Sequence, residues 1–218
     1  MWQQFELIVF DWDGTLMDSA DTLAVALQKS ADDLGLPTLS DALARHVIGL
    51  GLHEALSLAL PTLPVSRYHE VSARYRHHYE RNFDSLKLFF GIADLLDVLQ
   101  QRNHLLAVAT GKGRNGLDQS LSACGVESRF HASRCGDECF SKPHPQMLEE
   151  LMDELGVAPE ATLMIGDTTH DLQMAHNAGV SAVAVSYGAH EHDALQAEAP
   201  LVCCDSVEAL SRWLKQNA

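Results

Sequence analysis

The 218-residue chain carries 15 basic and 30 acidic side chains, a formal net charge of −15, and 46% of its residues are hydrophobic. That size and composition belong to a globular chain of one or two domains with a full apolar core. The charge argues against nucleic acid and anionic membrane as partners, since both need clustered Lys and Arg; a small anionic substrate stays open, because a few local donors or a cation override the global field.

From the beginning of the chain, Trp2 and Gln3 lead without a basic leader into Leu7-Ile8-Val9-Phe10, so no signal peptide is expected. No run approaches the roughly twenty apolar residues of a membrane span. The five cysteines are odd in number and lack a disulfide spacing, which fits a reducing cytoplasm. Cys135 and Cys139 could make half of a metal site, but no second half is visible.

Leu7 to Phe10 predicts a buried parallel strand, with Asp11 at its carboxyl end. Three helical stretches follow. The first carries Leu23, Leu27, Ala31 and Leu34, the second Ile48, Leu52, Leu56 and Leu60, and the third Tyr68, Val71, Tyr75 and Tyr79. Strands and helices then alternate. Strands are expected at Leu105–Ala109, Phe130–Ser133, Thr162–Ile165, Ala182–Val185 and Leu201–Cys203. Helices are expected around Leu95–Leu99, Leu117–Leu121, Met147–Leu155, Asp171–Ala178 and Val207–Leu214. The alternation predicts an α/β fold, a doubly wound Rossmann-like parallel sheet, with an inserted helical domain. The expected division is a core of residues 1–15 and 87–218 and a helical cap of residues 16–86.

Ligands of such sheets bind beyond the carboxyl ends of the strands, where Asp11, Thr110 and Asp167 all fall. In Asp11-Trp12-Asp13-Gly14-Thr15, two carboxylates stand two residues apart around a tight turn. Gly166-Asp167 with Asp171 opens a helix, Lys142-Pro143 lies in a loop, and Thr110-Gly111-Lys112 could hold an anion at a helix start. Each feature alone has a plain structural reading as turn, cap or solvated lysine. Together they make a phosphoryl-transfer set: a carboxylate nucleophile, carboxylates for a hard cation, and a lysine and a hydroxyl for phosphate oxygens.

The nonapeptide Asp11-Trp12-Asp13-Gly14-Thr15-Leu16-Met17-Asp18-Ser19 resembles the first motif of the haloacid dehalogenase-like superfamily. Thr110-Gly111-Lys112, Lys142-Pro143 and Gly166-Asp167-Thr168-Thr169-His170-Asp171 resemble its second, third and fourth motifs, in the same order. The Asp18-Ser19 ending and Ile48-Gly49-Leu50 are similar to the phosphoglycolate phosphatase-like branch, while Trp12, Phe90 and Ser141 depart from it. The resemblance implies Asp11 as nucleophile, Asp13 as acid and then base, and Lys142 as neutraliser of developing charge. It implies a phosphate site of Asp11, Trp12, Asp13, Thr110, Gly111 and Lys142, and Mg²⁺ held by Asp11, Asp13 and Asp167, with Asp171 behind. Arg45, His46 and Gly49 are the cap residues expected to meet substrate.

The expected activity is Mg²⁺-dependent hydrolysis of a small phosphorylated metabolite through an aspartyl-phosphate, by a monomer or weak homodimer. A sugar phosphomutase, similar to beta-phosphoglucomutase, would use the same Asp11 and Asp13. A non-catalytic binding module is disfavoured, because Asp11, Asp13 and Lys142 are all present.

Overall fold

The computed structural model describes residues 5–82 and 86–218; Trp2, Gln3 and residues 83–85, close to the expected end of the helical insert, lie outside the described residues. Among the described residues six parallel strands form one sheet: β1 Leu7–Phe10, β2 Leu105–Thr110, β3 Ala132–Cys135, β4 Thr162–Gly166, β5 Ser181–Val185 and β6 Cys203–Cys204. Their spatial order is β3-β2-β1-β4-β5-β6, the doubly wound Rossmann-like arrangement expected from the alternating pattern.

The strands are apolar without a break because both faces of the sheet are covered. On one face Ile8, Phe10, Leu106, Val108 and Ile165 pack under α5 (Ile92–Gln101), α6 (Arg114–Cys124) and α10 (Val207–Asn217). On the other, Leu7, Val9, Ala107, Ala109 and Met164 pack under α7 (Gln146–Leu155) and α8 (Thr169–Asn177). Phe10 pairs in register with Val108 and with Ile165. One step further along, Asp11 therefore leaves the sheet beside the ends of β2 and β4, where Thr110 and Asp167 stand.

Between β1 and α5 lie α1 (Ala20–Asp33), α2 (Asp41–His46), α3 (Leu52–Ala59) and α4 (Tyr68–Glu80). These helices share a separate apolar cluster that includes Leu27, Val47, Leu56, Leu60 and Val71. Full burial of such a side chain is worth about 1.5–3 kcal/mol over exposure, so the block holds itself together. The chain enters and leaves it side by side: Asp18 N–H donates to Lys87 O at 2.9 Å, and Phe89 N–H to Leu16 O at 3.0 Å.

The structure differs locally from the pattern-based expectations. The helix expected across Ile48 is two helices. Ser40 caps α2 by accepting from Leu43 N–H at 3.2 Å, and the chain then breaks through Val47–Gly51, with Gly49 at φ +88°. That conformation suits glycine and removes Ile48 from any helix. Strand β3 begins two residues later than expected, β6 is only Cys203–Cys204, and α9 (His192–Ala197) was not foreseen. Leu16 and Met17, ahead of α1, are buried in the sheet's own cluster.

Candidate active site

Asp11 N–H donates to Ile165 O at 2.9 Å, which fixes the first residue beyond β1 against β4. Trp12 turns inward, fully buried and edge-on to Phe130, so only its backbone can serve a ligand. Gly14 follows at φ +85°, and any Cβ there would strike the Asp167 carboxylate. The turn thus needs glycine both for its conformation and for the closeness of Asp167. It also brings Thr15 round to donate to Asp167 Oδ1 at 2.7 Å, while Ala189 N–H donates to Asp167 Oδ2 at 2.8 Å.

Lys142 Nζ, fully buried, bridges Asp11 Oδ1 at 2.7 Å and Asp171 Oδ1 at 2.6 Å. Burial alone would push its amine down, but the carboxylates of Asp11 and Asp171 outweigh that and hold it charged, above the ordinary lysine range. Asp171 Oδ2 is occupied by Thr168, which donates from its hydroxyl at 2.7 Å and from its backbone N–H at 3.1 Å. This reciprocal cap starts α8. Asp11, Asp167 and Asp171 are all buried, with one oxygen of each within 4.8 Å of the others. Burial, opposed by Lys142 and then reinforced by Asp171 and Asp167, pushes the Asp11 carboxyl well up; burial and then Asp171 push Asp167 up to about 7.

These residues fit a divalent cation. Asp11 Oδ2 is buried without a hydrogen-bond partner among the described residues, the donor set is all oxygen, and the crowded carboxylates need positive charge beyond one lysine. The prediction concerns Asp167. Its folded-state value near 7 exceeds the ordinary 3.8, so the fold favours the neutral carboxyl. This contribution to metal-free stability is full below about pH 4 and is lost as pH rises through about 7. A cation binds the ionised form, so Mg²⁺ stabilisation should grow with pH. At roughly 100 times its Kd, Mg²⁺ gives about 2.7 kcal/mol, and hence a Tm gain of about 5–10 °C at pH 8 that shrinks strongly at pH 5. Equal gains at the two pH values, read by thermal unfolding, would remove Asp167 from a cation site.

On the other side of Asp11, Asp13 is held at both oxygens. Ser19 Oγ donates to Oδ1 at 2.8 Å, and Lys112 Nζ lies 2.9 Å from Oδ2. Lys112 also donates to Tyr79 Oη at 3.2 Å and sits 4.5 Å from the centre of that ring, tying Asp13 to α4. Thr110 is buried at the end of β2, its hydroxyl accepting from Lys112 N–H at 3.2 Å. The sequence assigns no individual role to Lys112, Ser19, Thr15 or Tyr79; the signals for the first three are their positions inside the first and second motifs, and Tyr79 has none beyond its helical stripe.

The helical block meets the sheet closely here. A Cβ on Gly111 would strike the carbonyls of Gly49 and Leu50, and Gly49 lies against Thr168. Gly51 N–H donates to Ser141 Oγ at 2.8 Å. His170 Nε2 and His190 Nε2 stand 2.7 and 3.2 Å from the carbonyl of His46. Thr169 N–H donates to His190 Nδ1 at 3.0 Å, which leaves the proton of that ring on Nε2 to be donated to His46 O. The rings of His170 and His190 thus fasten the block to the sheet through the His46 carbonyl, and one ring nitrogen from each of His46, His170 and His190 lies within 4.8 Å of the others.

The expected residues thus divide. Asp11, Asp13, Thr110, Gly111, Lys142, Asp167 and Asp171 come together at the strand ends, with Trp12 contributing backbone. Gly49 joins them and lines the cavity above Asp11. Arg45 and His46 do not line it: Arg45 pairs with Asp21 and Asp41, and His46 fastens to the sheet through its carbonyl. Their place in the cavity wall is taken by Tyr75, Arg76 and Tyr79 of α4. Among the described residues Cys135 and Cys139 share no cluster of candidate metal ligands; Cys135 lies instead with Asp137 and Glu138, and Glu138 is engaged by Arg114 at 2.8 Å.

Comparison with known proteins agrees with this geometry. The family described as haloacid dehalogenase-like hydrolase matches residues 8–185. A protein of Dickeya dadantii named "Probable phosphatase IndB" is 36% identical over 209 residues, covering 92% of this chain and 89% of its own length. A phosphoglycolate phosphatase of Aliivibrio fischeri is 31% identical over 219 residues, covering 96% of each chain. The crystal structure of a predicted phosphoglycolate phosphatase from Haemophilus somnus superposes with a TM-score of 0.85 at 27% identity over 100% of both chains. With its motif residues gathered at the strand ends and its relatives matched along nearly their full length, this chain belongs to the haloacid dehalogenase-like hydrolase family.

Proposed function

We propose that the enzyme hydrolyses small phosphomonoesters through an aspartyl-phosphate on Asp11. The observation that carries this reading is the Asp11 carboxylate at the end of the central strand: one oxygen is held by Lys142 and the other, Oδ2, is without a partner among the described residues. The Asp11 carboxylate attacks phosphorus as the bond from phosphorus to the ester oxygen breaks, and Asp13 gives its proton to that leaving oxygen. Asp13 then takes a proton from water, the water attacks, phosphate leaves, and Asp11 is restored. The covalent step divides one difficult displacement into two easier ones. Thr110, Gly111, the backbone of Trp12 and Asp13, and Lys142 bind the phosphoryl oxygens and offset the charge developing on them. Asp11, Asp167 and the backbone of Asp13 would hold Mg²⁺, with Asp171 behind them. Bound there, the ion would neutralise phosphoryl and carboxylate charge so that an anion can approach an anion.

The helical block, residues 16–86, acts as a cap that excludes water during transfer. Its seat depends on Gly111. Gly111→Ala pushes the 49–50 carbonyls away. A displacement near 1 Å at the reacting groups costs up to about 10²-fold, so kcat/KM should fall about 10–100-fold on every phosphomonoester tried. Unchanged kinetics in Gly111→Ala would mean that the seat of the block does not govern turnover.

Relatives named as phosphatases support hydrolysis over the phosphomutase reaction, and phosphoglycolate, named for several of them, belongs in any substrate panel. No described helix is long and apolar enough to cross a membrane, and all five cysteines are unpaired. We assign the enzyme to the cytoplasm, acting on a phosphorylated metabolite. The deciding experiment is phosphate release from a phosphometabolite panel with Mg²⁺, with excess chelator, and with Ca²⁺ in its place, plus rapid-quench mass spectrometry for phosphate on Asp11. Full activity in chelator, or a phosphoenzyme on any other residue, would overturn the reading.

A further inference from the structure

A cavity of about 960 Å³ lies between the strand ends and the helical block, reaching Asp11 and Asp13 at its floor. That volume is at the upper end of what a whole drug-sized ligand occupies. A two-carbon alcohol such as glycolate fills a small part of it.

Part of the cavity wall is apolar. Leu23 and Leu27 of α1, Ile48, and Leu52 and Ala55 of α3 line the cavity together with Tyr75 and Tyr79. The two tyrosines are one helical turn apart, so they share a face of α4. The Tyr79 hydroxyl is engaged by Lys112, whereas that of Tyr75 makes no hydrogen bond among the described residues. The Tyr75 hydroxyl, on a half-buried side chain of the cavity lining, therefore has a hydrogen bond to give to something entering the cavity.

The charges are equally selective. Lys112 is committed to Asp13 at 2.9 Å and to Tyr79. His53 lies largely in solvent beside Glu54, Arg76 is exposed, and Glu54, Glu80 and Asp137 add negative charge around the lining. Among the described lining residues the cations left to meet a carboxylate on the leaving group are the exposed Arg76 and His53, whose attraction is screened by water, while the buried Lys112 is already paired, so drawing that carboxylate out of water is unfavourable. A neutral ring would bury apolar surface against leucine and tyrosine, with one polar atom for Tyr75.

We infer that, given the phosphatase reading above, the preferred substrate is the phosphomonoester of an alcohol bearing a neutral, largely apolar ring, larger than glycolate. The wall of Leu27, Ile48, Tyr75 and Tyr79 is what recognises that ring.

The test compares kcat/KM with Mg²⁺ for benzyl phosphate and 2-phenylethyl phosphate against 2-phosphoglycolate, with acetyl phosphate as a small ring-free control. Differential burial of a ring in an apolar pocket gives discrimination of about 10–200-fold, so the ring-bearing esters should lead phosphoglycolate by at least about tenfold. In Tyr75→Ala the ratio of benzyl phosphate to phosphoglycolate should fall at least about fivefold, the scale of one aromatic contact. Competition in the wild-type enzyme gives a reading that does not depend on the variant: benzylphosphonate should inhibit acetyl phosphate hydrolysis at lower concentration than phosphonoacetate. Phosphoglycolate matching or beating the ring-bearing esters, or phosphonoacetate binding as tightly as benzylphosphonate, overturns the inference and leaves the phosphatase reading standing. Failure to release phosphate from any of the four compounds, acetyl phosphate included, overturns the phosphatase reading itself, and the inference with it.

Discussion

Asp11→Asn should lower kcat by at least about 10³-fold, equivalent to about 4 kcal/mol of lost transition-state stabilisation, while the protein remains folded. Asparagine keeps the size of the side chain and an oxygen that can still accept from Lys142 Nζ, which sits 2.7 Å from Asp11 Oδ1. Asp171, at 2.6 Å, remains as the carboxylate partner of that lysine. The variant therefore loses a nucleophile without leaving the buried ammonium alone, the situation that makes breaking buried pairs so destabilising. Burial already pushes the Asp11 carboxyl up, so replacing it by a neutral amide also relieves a cost of folding. In metal-free buffer near pH 8 the variant should melt no lower than the wild type. The two measurements separate the possible failures. A large activity loss with a lower Tm would be a folding defect, and retained activity would mean that Asp11 is not the nucleophile. Quenched reactions should carry phosphate on the wild-type chain and none on Asp11→Asn.

The first motif was legible because its chemistry is local. Asp11 follows a four-residue apolar strand, and Gly14 is placed where the turn needs a positive φ and where any Cβ would meet Asp167. Asp167 and Thr110 were legible for the same reason, each ending an apolar run that the parallel sheet buries on both faces. What escaped the sequence depends on elements far apart in the chain. The bond from Thr15 to Asp167 spans 152 positions, and that from Lys112 to Tyr79 spans 33. No periodicity in either segment encodes such a meeting. Arg45 and His46 were drawn to the substrate by closeness to Gly49 in sequence, but a six-residue helix presents its side chains in several directions. Arg45 turns back to Asp41, four residues before it, and to Asp21 on α1. The cavity wall is instead carried by Tyr75 and Tyr79, which the helical pattern marked only as an apolar stripe. Short elements were misplaced for a related reason: α9 has six residues, and β6 has two. Neither is long enough to show a repeat.

Lys142→Met should damage both stability and turnover, and Mg²⁺ should repair only the first. The lysine is fully buried between two carboxylates at 2.7 and 2.6 Å. Removing it leaves Asp11, Asp167 and Asp171 crowded within 4.8 Å with no ammonium among them. Breaking a buried pair of this kind costs about 3–5 kcal/mol, a Tm drop of roughly 6–20 °C for a chain of this size. The loss should deepen with pH. The Asp11 and Asp167 carboxyls are already pushed up, and without Lys142 they rise further, so near pH 5 protonation relieves the repulsion, which builds as pH rises through those raised values. Mg²⁺ added at pH 8 supplies the missing charge and should recover much of the Tm. It cannot replace an ammonium hydrogen-bonded to the attacking carboxylate and aimed at the phosphoryl oxygens, so kcat should stay at least about 10²-fold down even with the ion saturating. If Mg²⁺ restores turnover along with stability, Lys142 only balances charge, and the neutralisation of the transition state belongs to other groups. If Tm is unaffected at pH 8 without metal, the buried carboxylates are relieved by some other route, and the electrostatic account of this site fails at its root.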